Sequence, residues 1–295
     1  MQESIIFCKI DEGYHVRRIF FMQYQTTIAK DVTYTGNGLH SGRKVTITLK
    51  PAPVDTGIVF IRVDLDGLPR IAAISDNVTS TIRATTIAEN EVKVFTIEHL
   101  LSALHAARID NSFIEINAEE PPVGDGSALI FFDLIHKAGI KEQAACRKEI
   151  IIDKVYRIDD GNRFVMVLPY DGFRVSFTSI NPHRLIGTQY VDCTINTLNY
   201  RQEIAPARTI AYEKEVAELE KMGLGLGGTL ENVIVYNDEG WLNKLRYEDE
   251  LVRHKVLDVI GDLRLAGIIR GHVIAVQSGH ALNARLAKKI TAAFK

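Results

Sequence analysis

Apolar and polar positions alternate along this chain in two rounds of the same order. From Gln25 the pattern is that of strands: residues 27–34, 44–49, 58–63 and 71–78 are rich in β-branched and aromatic side chains, and Val45, Ile47 and Leu49 repeat with a period of two. Thr35-Gly36-Asn37-Gly38 supplies a turn between the first two. The period lengthens to that of a helix over residues 96–107, where Ile97, Leu100, Leu101 and Leu104 line one side and Thr96 is placed to cap the start. Residues 111–117 read as a strand, Glu119-Glu120-Pro121-Pro122 as a turn, and residues 128–137 as a helix stopped near Gly139. Residues 141–148 are polar, carry no strand signal and read as a linker.

Beyond the linker the order recurs. Strands are expected at residues 150–158, 163–168 and 173–179, with Asp160-Gly161 turning the first pair, and again at 190–195. A helix at 212–222, a strand at 232–236, a helix at 250–266, a strand at 272–277 and a final helix from residue 282 complete the chain. Strands then helices, twice over, predict an α+β fold of two domains, residues 25–145 and 149–295, each a sheet covered by helices on one face. A cleft between two such units is a usual position for a site. Residues 1–24 follow neither period and read as an extension.

The helix expected at 250–266 concentrates the chemistry. His254, Asp258 and Asp262 step by four and share one strip, while Val252, Val256, Leu257, Val259, Ile260 and Leu263 are apolar. A His/carboxylate pair at i, i+4 can grip zinc from a single turn, and the same spacing also arises on an ordinary solvated face. Charges flanked by an apolar run are costly when unpartnered, which raises the metal reading. A further ligand must come from elsewhere, and Glu98-His99 offers one, with a carboxylate beside it in the position of a general base. The plain alternative there is the polar edge of an amphipathic helix. His105 lies six residues on, off the face of His99, and is a weak rival; His15, His136, His183 and His272 read as surface or capping residues.

Three smaller motifs divide between chemistry and structure. Ser278-Gly279-His280 follows a strand and opens a helix, so His280 is either incidental or an acid held protonated by Asp262. Gly223-Leu224-Gly225-Leu226-Gly227-Gly228 matches G-x-G-x-x-G but follows a helix and leads to a strand, the reverse of a dinucleotide fingerprint. Gly223 reads as a helix-terminating residue and the rest as backbone beside a ligand channel. Gly124-Asp125-Gly126-Ser127 reads as a turn capping the helix after it.

Composition narrows the classes. The 46% hydrophobic and 24% charged content is that of a globular protein, and a net charge of -2 gives no basic surplus for nucleic acid. Cys8, Cys146 and Cys193 are scattered, which fits a reducing cytoplasm and excludes a thiolate zinc site. No apolar run approaches the roughly 20 residues of a membrane helix. The first residues show no secretory pattern.

In order along the chain stand Thr35-Gly36-Asn37-Gly38-Leu39-His40-Ser41-Gly42, Thr96-Ile97-Glu98-His99-Leu100, Asp110-Asn111, Asp125-Gly126-Ser127, Ala207-Arg208-Thr209, Gly227-Gly228, Arg246-Tyr247-Glu248-Asp249-Glu250, Arg253-His254-Lys255-x-x-Asp258-x-x-Gly261-Asp262-Leu263 and Ser278-Gly279-His280-Ala281-Leu282-Asn283. Together, from about Gln25 to the end, they closely resemble the UDP-3-O-acyl-N-acetylglucosamine deacetylases, the zinc amidases of lipid A biosynthesis in outer-membrane-bearing bacteria. The resemblance implies a sandwich of two β-α-α-β domains with helices between the sheets and zinc in the cleft. It implies His99, His254 and Asp258 as zinc ligands, Glu98 as general base, His280 with its partner Asp262 as catalytic histidine, and Lys255 and Thr209 as oxyanion stabilisers. It also implies an acyl-chain passage formed around Val216, Leu224, Gly225, Leu226 and Thr229, substrate contacts from His40 and Arg163, and a cytoplasmic monomer acting on UDP-3-O-acyl-GlcNAc. Ile210 stands where many relatives carry Phe, and Gln277 where many carry a basic residue.

Two other readings compete. A zinc peptidase would show His-Glu-x-x-His, which is absent. A nucleotide-sugar or lipid binding protein would use the same cleft without needing Glu98.

Overall fold

The computed structural model describes residues 23–295, so the expected N-terminal extension lies, up to residue 22, outside the described residues. Two mixed sheets carry the architecture, each drawn from one continuous stretch of chain. The first orders its strands Val32–Asn37, Lys44–Pro51, Ser112–Ile116, Ile58–Arg62, Arg70–Ala72. The second orders Tyr156–Asp160, Arg163–Leu168, Ile268–Val276, Phe173–Ile180, Thr188–Thr194, with Glu149–Ile151 added parallel to Ile268–Val276. In Lys44–Pro51 the alternation does what the sequence pattern requires: Val45, Ile47 and Leu49 are buried and their neighbours are not.

Five longer helices complete the fold: α1 (Glu98–Ala106), α2 (Leu129–Ala138), α3 (Glu213–Lys221), α4 (Glu250–Leu263) and α5 (His280–Phe294). Every residue of α1 is buried, and in α4 only Arg253 and Lys255 keep partial access. Helices buried all round belong inside a fold. They pack on each other in the layer between the sheets, with α2 beside α1 and α5 beside α4. One core runs from Ile47 and Phe60 through Leu100 and Ile260 to Val175 and Phe177. The architecture is the expected α+β sandwich with its helices inside.

α1 and α4 approach closely at Gly261, where a Cβ would stand 2.0 Å from the carbonyl oxygen of Glu98. Only glycine permits that distance. It brings the first turn of α1, with Glu98 and His99, against the strip of α4 that carries His254, Asp258 and Asp262.

The elements depart from the sequence pattern in particular places. Residues 141–148 are not a linker: Ile140–Cys146 is a strand, antiparallel to Tyr24–Ile28, with Thr26 opposite Glu142 and Ile28 opposite Ile140. This pair forms a sheet of its own, and none of the Ile140–Cys146 side chains is buried, so no apolar alternation marks it. The expected strand at 27–34 is two strands, Tyr24–Ile28 and Val32–Asn37. That at 71–78 is broken by the 3₁₀ turn Ser75–Asn77, where Asn77 Nδ2 donates to the carbonyl of Ala72. That at 150–158 is interrupted ahead of Tyr156, whose hydroxyl donates to Asp153. Thr96 does not cap α1; Ile97 occupies the N-cap and the Thr96 hydroxyl donates to Glu120 instead. The strands Thr86–Glu89 and Val92–Phe95 and the helical turn Thr197–Ile204 carry no expected element, Val78–Ser80 is foreshadowed only at Val78, and Thr209–Tyr212 is a strand whose last residue stands where a helix is expected to begin. Gly223 does terminate α3: its N–H donates to the Glu220 carbonyl and that of Leu224 to Leu219, a Schellman pairing. Among the described residues no helix is long and apolar enough to cross a membrane.

Candidate active site

Thr96, just ahead of α1, holds a left-handed backbone (φ 55), a conformation that costs a β-branched residue about 1–2 kcal/mol. Its hydroxyl is fixed by Glu120, whose carboxylate also accepts from the backbone N–H groups of His40 and Ser41. The buried Glu120 thus ties the loop carrying His40 to the turn that launches α1.

His99, His254 and Asp258 are all buried, and one ligand atom from each lies within 4.8 Å of the others. Asp258 Oδ1 is 3.4 Å from His254 Nε2 and 3.9 Å from His99 Nε2, and the two imidazoles meet almost at right angles. A tetrahedral ion with ligand bonds of about 2.0–2.2 Å requires ligand atoms roughly 3.3–3.6 Å apart, so the cluster fits such an ion with little adjustment. Protonation agrees. Burial, then His254, lowers His99 to about 3, and burial also lowers His254, so both rings are neutral and offer lone pairs. His254 Nδ1 lies 3.1 Å from the carbonyl of Ala207, which directs its Nε2 towards the cluster. Burial alone would raise Asp258, but the Lys255 ammonium 2.9 Å away and the nearby histidines hold its carboxyl well below the usual range.

Two further groups stand beside the cluster with their proton affinities pushed towards opposite duties. Burial raises Glu98 to about 7, against the pull of His280. Burial would lower His280, but Asp262 outweighs it and raises the imidazole to about 10; Asp262 Oδ2 lies 2.9 Å from its Nδ1. Glu98 Oε1 and His280 Nε2 are 4.0 Å apart. A carboxylate titrating near neutrality facing a protonated imidazole is the arrangement of a base and an acid in one site.

These groups open into a cavity of about 720 Å³. Its head is lined by His40, Glu98, His99, Thr209, Lys255 and His280, and its far part by Val216, Leu219, Leu224, Gly225, Leu230 and Val235. Thr229 also lines it. Thr209 is placed by the buried Arg208–Glu250 ion pair (2.9 Å), which joins two of the sequence motifs; Glu250 also accepts from the Arg208 and Arg246 backbone N–H groups.

Three of the sequence candidates do not line the cavity. Arg163 faces Asp160 across a hairpin turn and is paired with it, which holds its guanidinium at that exposed corner. Leu226 is 55% exposed; its N–H donates to the carbonyl of His40, and its side chain lies on the outer side, against Gly42. Asp262 is fully buried behind His280. His105 is buried against Phe173 and lines a different cavity. Sequence reasoning missed Arg83, which lines the main cavity, pairs with Glu215 of α3 at 3.3 Å, and has a left-handed backbone (φ 62). It also missed Thr85, which touches both Glu98 and Asp262. Neither lies in a periodic segment, so no spacing could have marked them.

A cluster of three metal-competent side chains beside Glu98 and His280, opening into a cavity with apolar lining, is the layout of a metal-dependent hydrolase. A sequence model of the UDP-3-O-acyl N-acetylglycosamine deacetylases matches residues 25–292. Over 273 residues the chain is 43% identical to a UDP-3-O-acyl-N-acetylglucosamine deacetylase of Marinobacter nauticus, spanning 91% of this chain and 90% of that one. It is 44% identical over the same length, with the same coverage, to a protein of the same description from Pseudomonas entomophila. The chain belongs to the UDP-3-O-acyl N-acetylglycosamine deacetylase family, a family of metalloenzymes.

Proposed function

We propose that this chain hydrolyses the N-acetyl group of UDP-3-O-acyl-N-acetylglucosamine, a step of lipid A biosynthesis, releasing acetate and a free amine. The observation that carries the reading is the meeting, at the head of one cavity, of the His99/His254/Asp258 cluster with a carboxylate at about 7 and an imidazole at about 10. On this reading the chain divides into two halves, residues 25–145 supplying Glu98 and His99 and residues 149–295 supplying His254, Asp258 and His280.

Zinc is the ion we assign to the cluster, since neutral imidazoles and one carboxylate are the donors it takes in hydrolytic sites. When bound it supplies a more acidic water and a Lewis acid for the acetamide carbonyl. Glu98 removes the proton of the attacking water, for which a carboxyl near 7 is well matched. Lys255 and Thr209 face the cavity head and stabilise the oxyanion that develops on the carbonyl. His280, carrying its proton, faces the leaving amine as the charged donor. The apolar arm takes the 3-O-acyl chain, and burial of each methylene there contributes about 0.8 kcal/mol. The reading includes a monomer in the cytoplasm, consistent with the free thiols of Cys146 and Cys193.

Metal analysis of purified protein beside an acetate-release assay on UDP-3-O-acyl-GlcNAc tests the proposal. One zinc per chain and acetate release proportional to zinc are expected. A zinc-loaded protein that releases no acetate would overturn the substrate, and a chain that takes up no zinc would overturn the cofactor. Light scattering checks the monomer.

A further inference from the structure

The base and the acid come from different parts of the chain. Glu98 opens α1, and His280 opens α5 and leans on Asp262 of α4. Their usefulness depends on the 4.0 Å that separates them, because misplacement by about 1 Å costs up to ~100-fold in rate. Gly261 sets how close α1 and α4 approach but does not orient either side chain.

Thr85 does. It sits between the bend at residues 82–84 and the strand Thr86–Glu89, fully buried. Its backbone N–H donates to Glu98 Oε2 at 3.2 Å, and its hydroxyl donates to Asp262 Oδ1 at 2.5 Å. Asp262 spends its other oxygen on His280 Nδ1 (2.9 Å) and Asn283 Nδ2 (2.8 Å). No other donor reaches Asp262 Oδ1 among the described residues. A carboxylate rotates about its final bond unless both oxygens are held, and its rotation turns the imidazole bonded to it. Among the described residues Thr85 alone bonds to the base and to the partner of the acid.

Resting on the assignment of Glu98 and His280 above, we infer that Thr85 is a positioning residue for this reaction. Its hydroxyl locks the Asp262 carboxylate, and through it the His280 ring, in register with the Glu98 carboxylate that its own N–H holds. Among the described residues Thr85 makes no hydrogen bond to a metal ligand and is not in the cavity lining, so its effect falls on turnover and not on binding.

Thr85→Val keeps the shape and removes the hydroxyl. Outer-shell partners of this kind typically cost 10–100-fold, so kcat should fall at least about tenfold, with KM within about twofold and zinc content unchanged. Thr85→Ser should recover most of the loss. In a His280→Ala background Thr85→Val should cost nothing further, because the group it positions is gone; a merely structural residue would cost the same fold in both backgrounds. An undiminished kcat in Thr85→Val, or equal losses in the two backgrounds, overturns the inference. If the valine protein does not fold, Thr85→Ala is read by the same cycle. His280→Ala with parental turnover would instead overturn the acid assigned under the proposed function, so the two failures are told apart.

Discussion

The two ends of the cavity are built to different standards. At the head, Glu98, His99, His254 and Asp258 are buried side chains on helices that are themselves buried almost all round. Their partners are specified one by one: Ala207 on His254, Lys255 on Asp258, Thr85 on Glu98. At the far end, α3 has no buried residue, its Val216 and Leu219 line the cavity, and its tie to the first half of the chain is the half-exposed Arg83–Glu215 pair. Bond making demands atoms placed within a fraction of an ångström, and only a close-packed core gives that. A hydrocarbon chain demands only apolar area, and a helix that leaves its apolar face uncovered supplies it.

That contrast can be broken most severely at the head. His254→Ala should remove the metal and the activity together, read by metal analysis and acetate release; full zinc retention in that protein would refute the ligand set. Next in size, Glu98→Gln should keep its metal and lose roughly 100-fold or more in turnover, the scale of general acid–base catalysis. The pH dependence follows from the same pair. In the proposed roles Glu98 acts unprotonated and His280 protonated, so the rate should fall below about 7 and again above about 10. The raised imidazole also stabilises the fold, fully at pH values below its unfolded value of about 6.5 and decreasingly as pH rises through about 10. Thermal melts across that range should show the alkaline loss in the parent and a smaller one in His280→Ala.

The passage end should respond by selectivity instead. Val216→Trp should fill the arm, leave zinc in place, and lower kcat/KM for a long-acyl substrate about tenfold relative to a short-acyl one, the worth of two lost methylenes. Val216 is the better test than Gly225, whose left-handed backbone (φ 72) would strain any replacement. The smallest effect expected is that of Arg83→Ala, a change below threefold at moderate salt, since exposed ion pairs contribute little. A loss as large as that of Glu98→Gln would mean that Arg83 touches the substrate.

What the sequence made legible tracks the same divide. The i, i+4 spacing of His254 and Asp258 and the run of apolar residues around them announce a buried helix with chemistry on one strip, and Glu98-His99 announces its counterpart. Neither could say that the strips face each other; that needed Gly261 and the long-range packing of α1 on α4. The strand Ile140–Cys146 was illegible because both its faces are wet, and periodicity records burial, not hydrogen bonding. Thr85 was illegible because its meaning is a contact with a residue 177 positions away. Arg163, a basic residue in a suggestive position, is paired with Asp160 of its own turn and lies outside the cavity lining.

The pairing of Tyr24–Ile28 with Ile140–Cys146 also bears on how the chain is made. Tyr24 lies opposite Cys146, so the first half begins and ends at one place, clasped like a loop of cord. A nascent chain cannot close that clasp until residue 146 has left the ribosome, by which time the first sheet, drawn from residues 32–116, has already emerged. Non-local pairing is the slow part of folding, and domains fold as units during synthesis. The clasp therefore closes only once the whole first sheet has emerged, just before the segment that lays down the second sheet begins to appear.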